Sequence, residues 1–317
     1  MLTRVFTRMA HGLQNFRQRD SYARIAGEHK WSIGMLAGPS PLQLGPAGFA
    51  NPVLEAQDVM DCRAAYLADP FMLKAAGQWH MLFEVLNLDS TKGEIGWATS
   101  EDAKTWTYRQ IVLAESFHLS YPYLFEWNHE FYMIPESTGA GTLRLYKAFE
   151  FPLRWSLVGI LLRGYFADPS IVHHNGKWWL FAETASGGQC DTLRLYWADD
   201  LLGPWQEHPR SPLIAGDSHI ARPAGRIVPV DGCLMRFAQD CYPEYGTAVR
   251  AFAISELTPT GYAESACCQG ALLAGSGVGW NRLGMHHIDA HCIGDQQWIA
   301  CVDGFRRIAG APQEVGA

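Results

Sequence analysis

No run in this chain approaches the apolar length needed to span a bilayer. Charge is scarce as well. Asp, Glu, Lys and Arg make up only 18% of the 317 residues, and they balance to −7. A negative chain without clustered Lys and Arg cannot neutralise a phosphate backbone, so nucleic acid is excluded as a partner. Among the eight cysteines (Cys62, Cys190, Cys233, Cys241, Cys267, Cys268, Cys292 and Cys301) no Cys-x-x-Cys pair occurs. The start shows neither a long apolar core nor a small-residue cleavage site, so an even cysteine count does not imply disulfides. The cysteines are therefore expected to be reduced and the protein cytoplasmic.

Apolar residues are plentiful, at 48%, with 12 Trp, 12 Tyr and 15 Phe. They return in a module of about 50 residues, the period range of solenoids and propellers. Each copy opens with a pair ending in proline, runs through an apolar strand, turns, and climbs an aromatic strand that ends on a carboxylate or amide. The copies begin at Asp69-Pro70, Tyr121-Pro122, Asp168-Pro169 and Arg222-Pro223, and their second strands end at Glu84, Glu136, Glu183 and Gln239. Trp106, Trp155 and Trp205 repeat at the outer ends of the modules. A fifth unit follows from Gly284 to Asp303, after which little chain remains, so Trp31–Leu36 is expected to complete the last sheet. The expected fold is all-β: one five-bladed β-propeller over residues 30–317, its ring closed so that no sheet edge is left open.

Residues 1–29 differ. They carry Arg4, Arg8, Arg17, Arg19 and Arg24 against Asp20 and Glu28, with Leu2, Val5, Phe6, Met9, Leu13 and Phe16 at helical spacing. The expectation is a short amphipathic helix that either meets a membrane surface or partner protein or packs on the propeller flank.

The repeat brings its polar residues to one axis. Asp69 and Asp168 take equivalent pre-proline positions, with Glu84, Glu136 and Glu183 at the strand ends and Asp240 after Gln239. Carboxylates around a channel mouth are what glycoside hydrolysis needs, one protonated at the leaving oxygen and one ionised opposite. The alternative is that each pre-proline Asp caps its strand by bonding local backbone amides. Arg222 and Arg226, with Tyr121 and His118, suit a sugar carrying a carboxylate or phosphate, or else form ion pairs between blades. His287, Asp289 and His291 alternate and would share one face of a strand. That pattern can hold a divalent metal, but no second cluster is near, so hydrogen-bonded channel histidines are expected and no cofactor.

His118-Leu119-Ser120-Tyr121-Pro122, Pro135-Glu136-Ser137, Ala221–Arg226, Gln239-Asp240 with Tyr245-Gly246, and Gly284 with His286-His287 together carry a resemblance. Over roughly residues 30–305 the chain resembles the N-terminal propeller domain of plant glucosamine inositolphosphorylceramide transferases, a domain that in bacteria also occurs alone or beside formyltransferases. The resemblance implies that transferase chemistry belongs to a separate C-terminal domain. More distantly the chain resembles the arabinanase/xylosidase and invertase/levansucrase clans, which use an Asp as base or nucleophile, a second Asp, and a Glu as acid. Asp69 fits the first role. Tyr121 stands where the second Asp would be, and Asp168 where the Glu would be, unless Glu136 or Glu183 reaches in.

Two functions follow. One is a carbohydrate-active, glycosidase-like enzyme, with Asp69 as base or nucleophile, Asp168 or Glu183 as acid, and Tyr121, Glu136, Arg222, Gln239, Asp240 and His287 holding the sugar. The other is a non-catalytic glycan or nucleotide-sugar binding module that serves a glycosyltransferase or formyltransferase.

Overall fold

The computed structural model describes residues 29–46 and 48–307. The expected N-terminal helix lies outside the described residues. Within them, one-turn 3-10 segments are the only helical pieces, and the rest is five antiparallel sheets of four or five strands. From the axis outward, blade 1 consists of Ala64–Ala75, Gln78–Asn87, Lys92–Ser100 and Thr107–Leu113. Blade 2 consists of Ser120–Trp127, Glu130–Glu136, Thr142–Glu150 and Arg154–Arg163. Blade 3 spans Ala167–His174 to Ile214–Ala215, and blade 4 Val228–Val230 to Leu273–Ala274.

Blade 5 is composite. Ile288–Gly294 and Gln297–Arg307 from the end of the chain pair with His29–Ser40 from its beginning. His29 faces Arg307, Ile33 faces Asp303 and Gly38 faces Trp298, so Trp31–Leu36 closes the ring as its sequence suggested.

Local chemistry explains the blades. The inner hairpins turn at Ala76-Gly77, Asn128-His129, Asn175-Gly176 and Asp231-Gly232, with positive φ at both residues of each pair. Such mirror-image turns match the right-handed twist of the flanking strands. The repeated tryptophans anchor the outer corners alike: the indole N–H groups of Trp106, Trp155 and Trp205 reach the carbonyls of Ala103, Pro152 and Leu201. Apolar side chains from neighbouring sheets interleave between blades, as where Phe71 and Leu82 of blade 1 join Tyr123 and Leu124 of blade 2.

The inner strands share a device that aims side chains at the axis. In blade 1, Ala68 pairs with Glu84 and Phe71 with Leu82, so Asp69-Pro70 bulges from the ladder. Blades 2 and 3 repeat the irregularity at Tyr121-Pro122 and Asp168-Pro169. The pre-proline residues sit in the left-handed region, at φ 54, 46 and 47. Non-glycine residues are uncommon there and carry strain that the surrounding structure must hold. Proline suits the bulge because no ladder donor is lost.

Blade 4 departs from the repeat. Residues 221–226 are held by single bonds, Ala224 N–H to Phe237 O and Gln239 N–H to Arg222 O, and the strand begins only at Val228. Gly225 lies at φ 136, and a Cβ there would sit 1.7 Å from the Ile288 carbonyl oxygen, so only glycine fits this crossing of blades 4 and 5.

Candidate functional site

Because the inner strands start at one mouth, the bulged residues of different blades meet there. Arg222 is the hub. Its Nε donates to Asp168 Oδ2 at 2.6 Å, and a second guanidinium N–H reaches Glu136 Oε2 at 3.3 Å. The Gln239 amide donates to the same Asp168 oxygen and to the Pro223 carbonyl. Glu136 Oε2 also accepts the Asp168 N–H at 3.2 Å. Burial pushes Glu136 up to about 8, against the pull of Arg222 and with the help of Asp168. Burial likewise lifts Glu183 to about 7, again with Arg222 opposing.

Asp69 forms the other half of the mouth. Its Oδ2 accepts the Tyr121 N–H at 3.2 Å, and its own N–H goes to Asp303 Oδ2 at 2.9 Å. Its Oδ1 is buried with no hydrogen-bond partner among the described residues. Burial, then Asp168, Asp303, Glu84 and Glu136, raise Asp69 well above the usual carboxylate range. His286 stands behind it: Nδ1 is 2.7 Å from Asp303 Oδ1 and Nε2 is 3.6 Å from Asp69 Oδ1. These three residues bring potential ligand atoms within 4.8 Å of one another. Asp303 is already engaged by His286 and the Asp69 N–H, while His286 Nε2 stops short of a hydrogen bond to Asp69 Oδ1.

The rim is aromatic and polar. Glu84 accepts from Tyr66 Oη and lies 3.2 Å from His118 Nε2, while His118 Nδ1 accepts the Gly93 N–H. Arg222 lies over the Tyr245 ring at 5.2 Å, and Trp31 stacks on His286 at 4.2 Å. Asp240 pairs with His219 and Arg250, and so belongs to the rim.

Below the mouth the axis is plugged. Tyr121 Oη bonds Ser170 Oγ at 2.8 Å and the Gly225 carbonyl at 3.2 Å, so this side chain runs down the axis. His287 is fully buried, with Nε2 on the Pro70 carbonyl at 2.9 Å, and burial lowers it to about 4. Deeper still, Arg226 Nε donates to Asp289 Oδ1 at 2.6 Å, and Asp289 Oδ2 takes the Met72 N–H and lies 2.9 Å from His291 Nε2. Burial alone would raise Asp289, but Arg226 and then His291 hold it well below the usual range.

The structure therefore gathers Asp69, Glu136, Asp168, Glu183, Arg222 and Gln239, with His118 and Asp240 on the rim. It sends Tyr121, His287, Arg226 and Asp289 into the axial core. His287 does not converge with Asp289 and His291 into a ligand set. Sequence reading gave Asp303 no role, although this acid lies near the end of the second strand of blade 5 as Glu84 does in blade 1, and it left His286 without a role.

A family model described as glucosamine inositolphosphorylceramide transferase 1, N-terminal, matches residues 23–305. The rice (Oryza sativa subsp. japonica) glucosamine inositolphosphorylceramide transferase 1 is 36% identical over 94% of this chain and 43% of its own length. The chain thus spans less than half the length of that relative. Among solved structures, a family 117 glycoside hydrolase from Zobellia galactanivorans is similar with a TM-score of 0.51 at 15% identity, covering 88% of this chain and 91% of its own. A family 43 β-xylosidase/α-arabinofuranosidase from a compost metagenome gives a TM-score of 0.53 at 12% identity, covering 67% of this chain and 76% of its own. These likenesses show a five-bladed fold of the glycoside-hydrolase type.

Proposed function

The chain belongs to the family of the glucosamine inositolphosphorylceramide transferase 1 N-terminal domain, and from that premise we propose that its propeller is a sugar-recognition domain serving a glycosyltransferase reaction. The observation that carries this reading is the surplus of acid around one guanidinium: Asp69, Glu136, Asp168 and Glu183 gather near Arg222, and burial and mutual repulsion keep protons on several of them. A protonated amino sugar, the glucosamine of the family name, supplies the missing positive charge. Its ammonium group would pair with carboxylates that ionise as it enters, while Tyr245, over which Arg222 lies, covers the ring. Asp168 is occupied by Arg222 and Gln239, and Tyr121 fills the place of a further carboxylate, so no base faces the acid across a substrate.

Such binding releases protons. Calorimetric titration of glucosamine at pH 7 in buffers of different ionisation enthalpy is expected to show proton release, and glucose is expected to bind more weakly. Arg222→Met should weaken binding by about tenfold or more, since the acid cluster loses its organiser. Equal binding of glucose and glucosamine with no proton release would overturn the amino-sugar reading.

Hydrolysis is the second reading, favoured by one observation: the buried Oδ1 of Asp69, without a hydrogen bond among the described residues, on a carboxyl raised well above its usual range and with the His286–Asp303 pair behind it. It reverses the role expected of Asp69, from base to acid. Turnover of an aryl glycoside, abolished by Asp69→Asn with binding retained, would establish it. No turnover across such substrates leaves recognition alone.

A further inference from the structure

Three side-chain atoms gather where the mouth meets the axial plug, and two of their residues have no task in the recognition reading. Asp69 Oδ1 lies 3.6 Å from His286 Nε2 and 3.9 Å from His287 Nδ1. Both Asp69 Oδ1 and His287 Nδ1 are buried with no hydrogen-bond partner among the described residues. These separations are too long for the atoms to bond one another. They are short enough for one small polar group to reach all three at about 2.8 Å. Buried polar atoms left unpaired are costly, so neighbours in that state call for a common partner.

The fixed partners of the two rings decide what that group must be. His287 Nε2 lies 2.9 Å from the Pro70 carbonyl oxygen, which can only accept, so Nε2 carries the hydrogen. Burial lowers His287 to about 4, so the ring is neutral and Nδ1 is a bare acceptor. His286 Nδ1 lies 2.7 Å from Asp303 Oδ1, which also takes the His286 N–H, while Asp303 Oδ2 takes the Asp69 N–H. Burial alone would raise Asp303, but His286 holds it below the usual range, so this carboxylate accepts from Nδ1. In the neutral ring Nε2 is then a second bare acceptor. Asp69 Oδ2 already accepts the Tyr121 N–H, which leaves Oδ1 as the third.

We propose that Asp69, His286 and His287 form a three-acceptor socket for one primary ammonium group, through which the mouth selects a free amino sugar over its N-acetylated form. The proposal rests on the recognition reading and places the ammonium within it. An ammonium has three N–H donors for the three acceptors and a charge for the carboxylate. A hydroxyl has one donor. An acetamide also has one, and brings a bulk that a corner of three buried residues does not admit. Burial and then Asp168 raise Asp69 well above its usual range, so the entering ammonium takes the place of a proton there. Trp31 and Tyr245 flank His286 at 4.2 and 5.1 Å, which sets the sugar ring against aromatic faces as its nitrogen goes down.

The test is proton–nitrogen correlation NMR on the full chain with isotope-labelled histidines, in buffer with EDTA, where bare, hydrogen-bonded and protonated ring nitrogens differ. His286 Nε2 and His287 Nδ1 are expected to be bare in the free protein. Glucosamine should move both resonances, and glucose and N-acetylglucosamine neither. A proton on either nitrogen in the free protein overturns the proposal, as does an equal response to N-acetylglucosamine. His287→Phe keeps a ring against Phe71 and Tyr121, and should weaken glucosamine by about tenfold or more while leaving glucose unchanged. Should that variant not fold, the spectra of the parent decide alone. Ethanolamine, a primary ammonium without a sugar ring, separates the two claims. Glucosamine that binds without moving either nitrogen overturns the socket and keeps the recognition reading. Ethanolamine that moves both, where glucosamine does not bind, keeps the socket and counts against the amino-sugar reading. A response to neither probe overturns the socket.

Discussion

Arg222 and Arg226 lie four residues apart, both buried on the propeller axis, and they meet carboxylates in opposite ways. Arg226 has one main acid, Asp289, which is held well below its ordinary range and is further bonded by Met72 N–H and His291. Charge is balanced and both carboxylate oxygens are bonded, so this is a bolt between blades 4 and 5. Arg222 is outnumbered. It shares itself between Asp168 and Glu136, and the acids around them are pushed up rather than down. A buried pair that is closed upon itself stabilises the fold, whereas one left in surplus awaits a partner. The sequence places both arginines in the same motif, and only the blade that each one faces separates their roles.

The sharpest way to break this contrast is to remove each guanidinium in turn. Arg226→Met leaves buried Asp289 with only His291 beside it, and urea unfolding should show a loss of about 3–5 kcal/mol. Arg222→Met should lose less, about 1–3 kcal/mol, because Glu136 already holds a proton and the neighbouring acids can take more. Equal losses would erase the distinction.

The pH dependence should run in opposite directions at the two sites. Glu183 and Glu136 bind protons in the folded state up to about 7 and about 8, but only to their ordinary range when unfolded. The folded chain then holds more protons, so their contribution to stability is complete below the ordinary carboxylate range and is lost as pH rises through 7 and 8. Stability is expected to fall from pH 5 to 8, and Glu136→Gln with Glu183→Gln should flatten the fall. Asp289 acts the other way: its contribution is present above the ordinary carboxylate range and disappears as pH falls through its depressed value. Unfolding curves measured across both windows, in the parent and in the Gln double variant, separate the two effects.

The smallest effect belongs to Tyr121, which lies between the two arginines. Tyr121→Phe removes the bonds to Ser170 and the Gly225 carbonyl, and Ser170 still satisfies that carbonyl at 2.8 Å. A loss of about 1 kcal/mol is expected, with ligand titrations unchanged. A large drop in affinity would move Tyr121 from the plug into the mouth.

Much of this arrangement was legible in the chain because a repeat fixes what is equivalent. The pre-proline residues, the strand-ending acids and the closing strand at Trp31 all follow from one pattern. The fifth unit hides its part. It has no pre-proline marker and its sheet is split between the two ends of the chain, so Asp303 and His286 did not stand out. Tyr121 matched an acid position by alignment, yet its φ of 46 and its length carry the hydroxyl down the axis, which spacing alone does not reveal. The basic segment at residues 1–28 lies outside the described residues, so its docking role stands as a proposal.

The seam that sets His29 beside Arg307 bears on how the ring comes together during synthesis. The strand His29–Ser40 leaves the ribosome before any partner exists and must wait for Gln297–Arg307, with the other four blades emerging in between. Its apolar stretch from Trp31 to Leu36 is therefore the part of the nascent chain kept longest without its sheet. A permuted gene that links residue 307 to residue 29 and opens between Gly45 and Ala64 would give every blade a continuous stretch of message, and would end that wait.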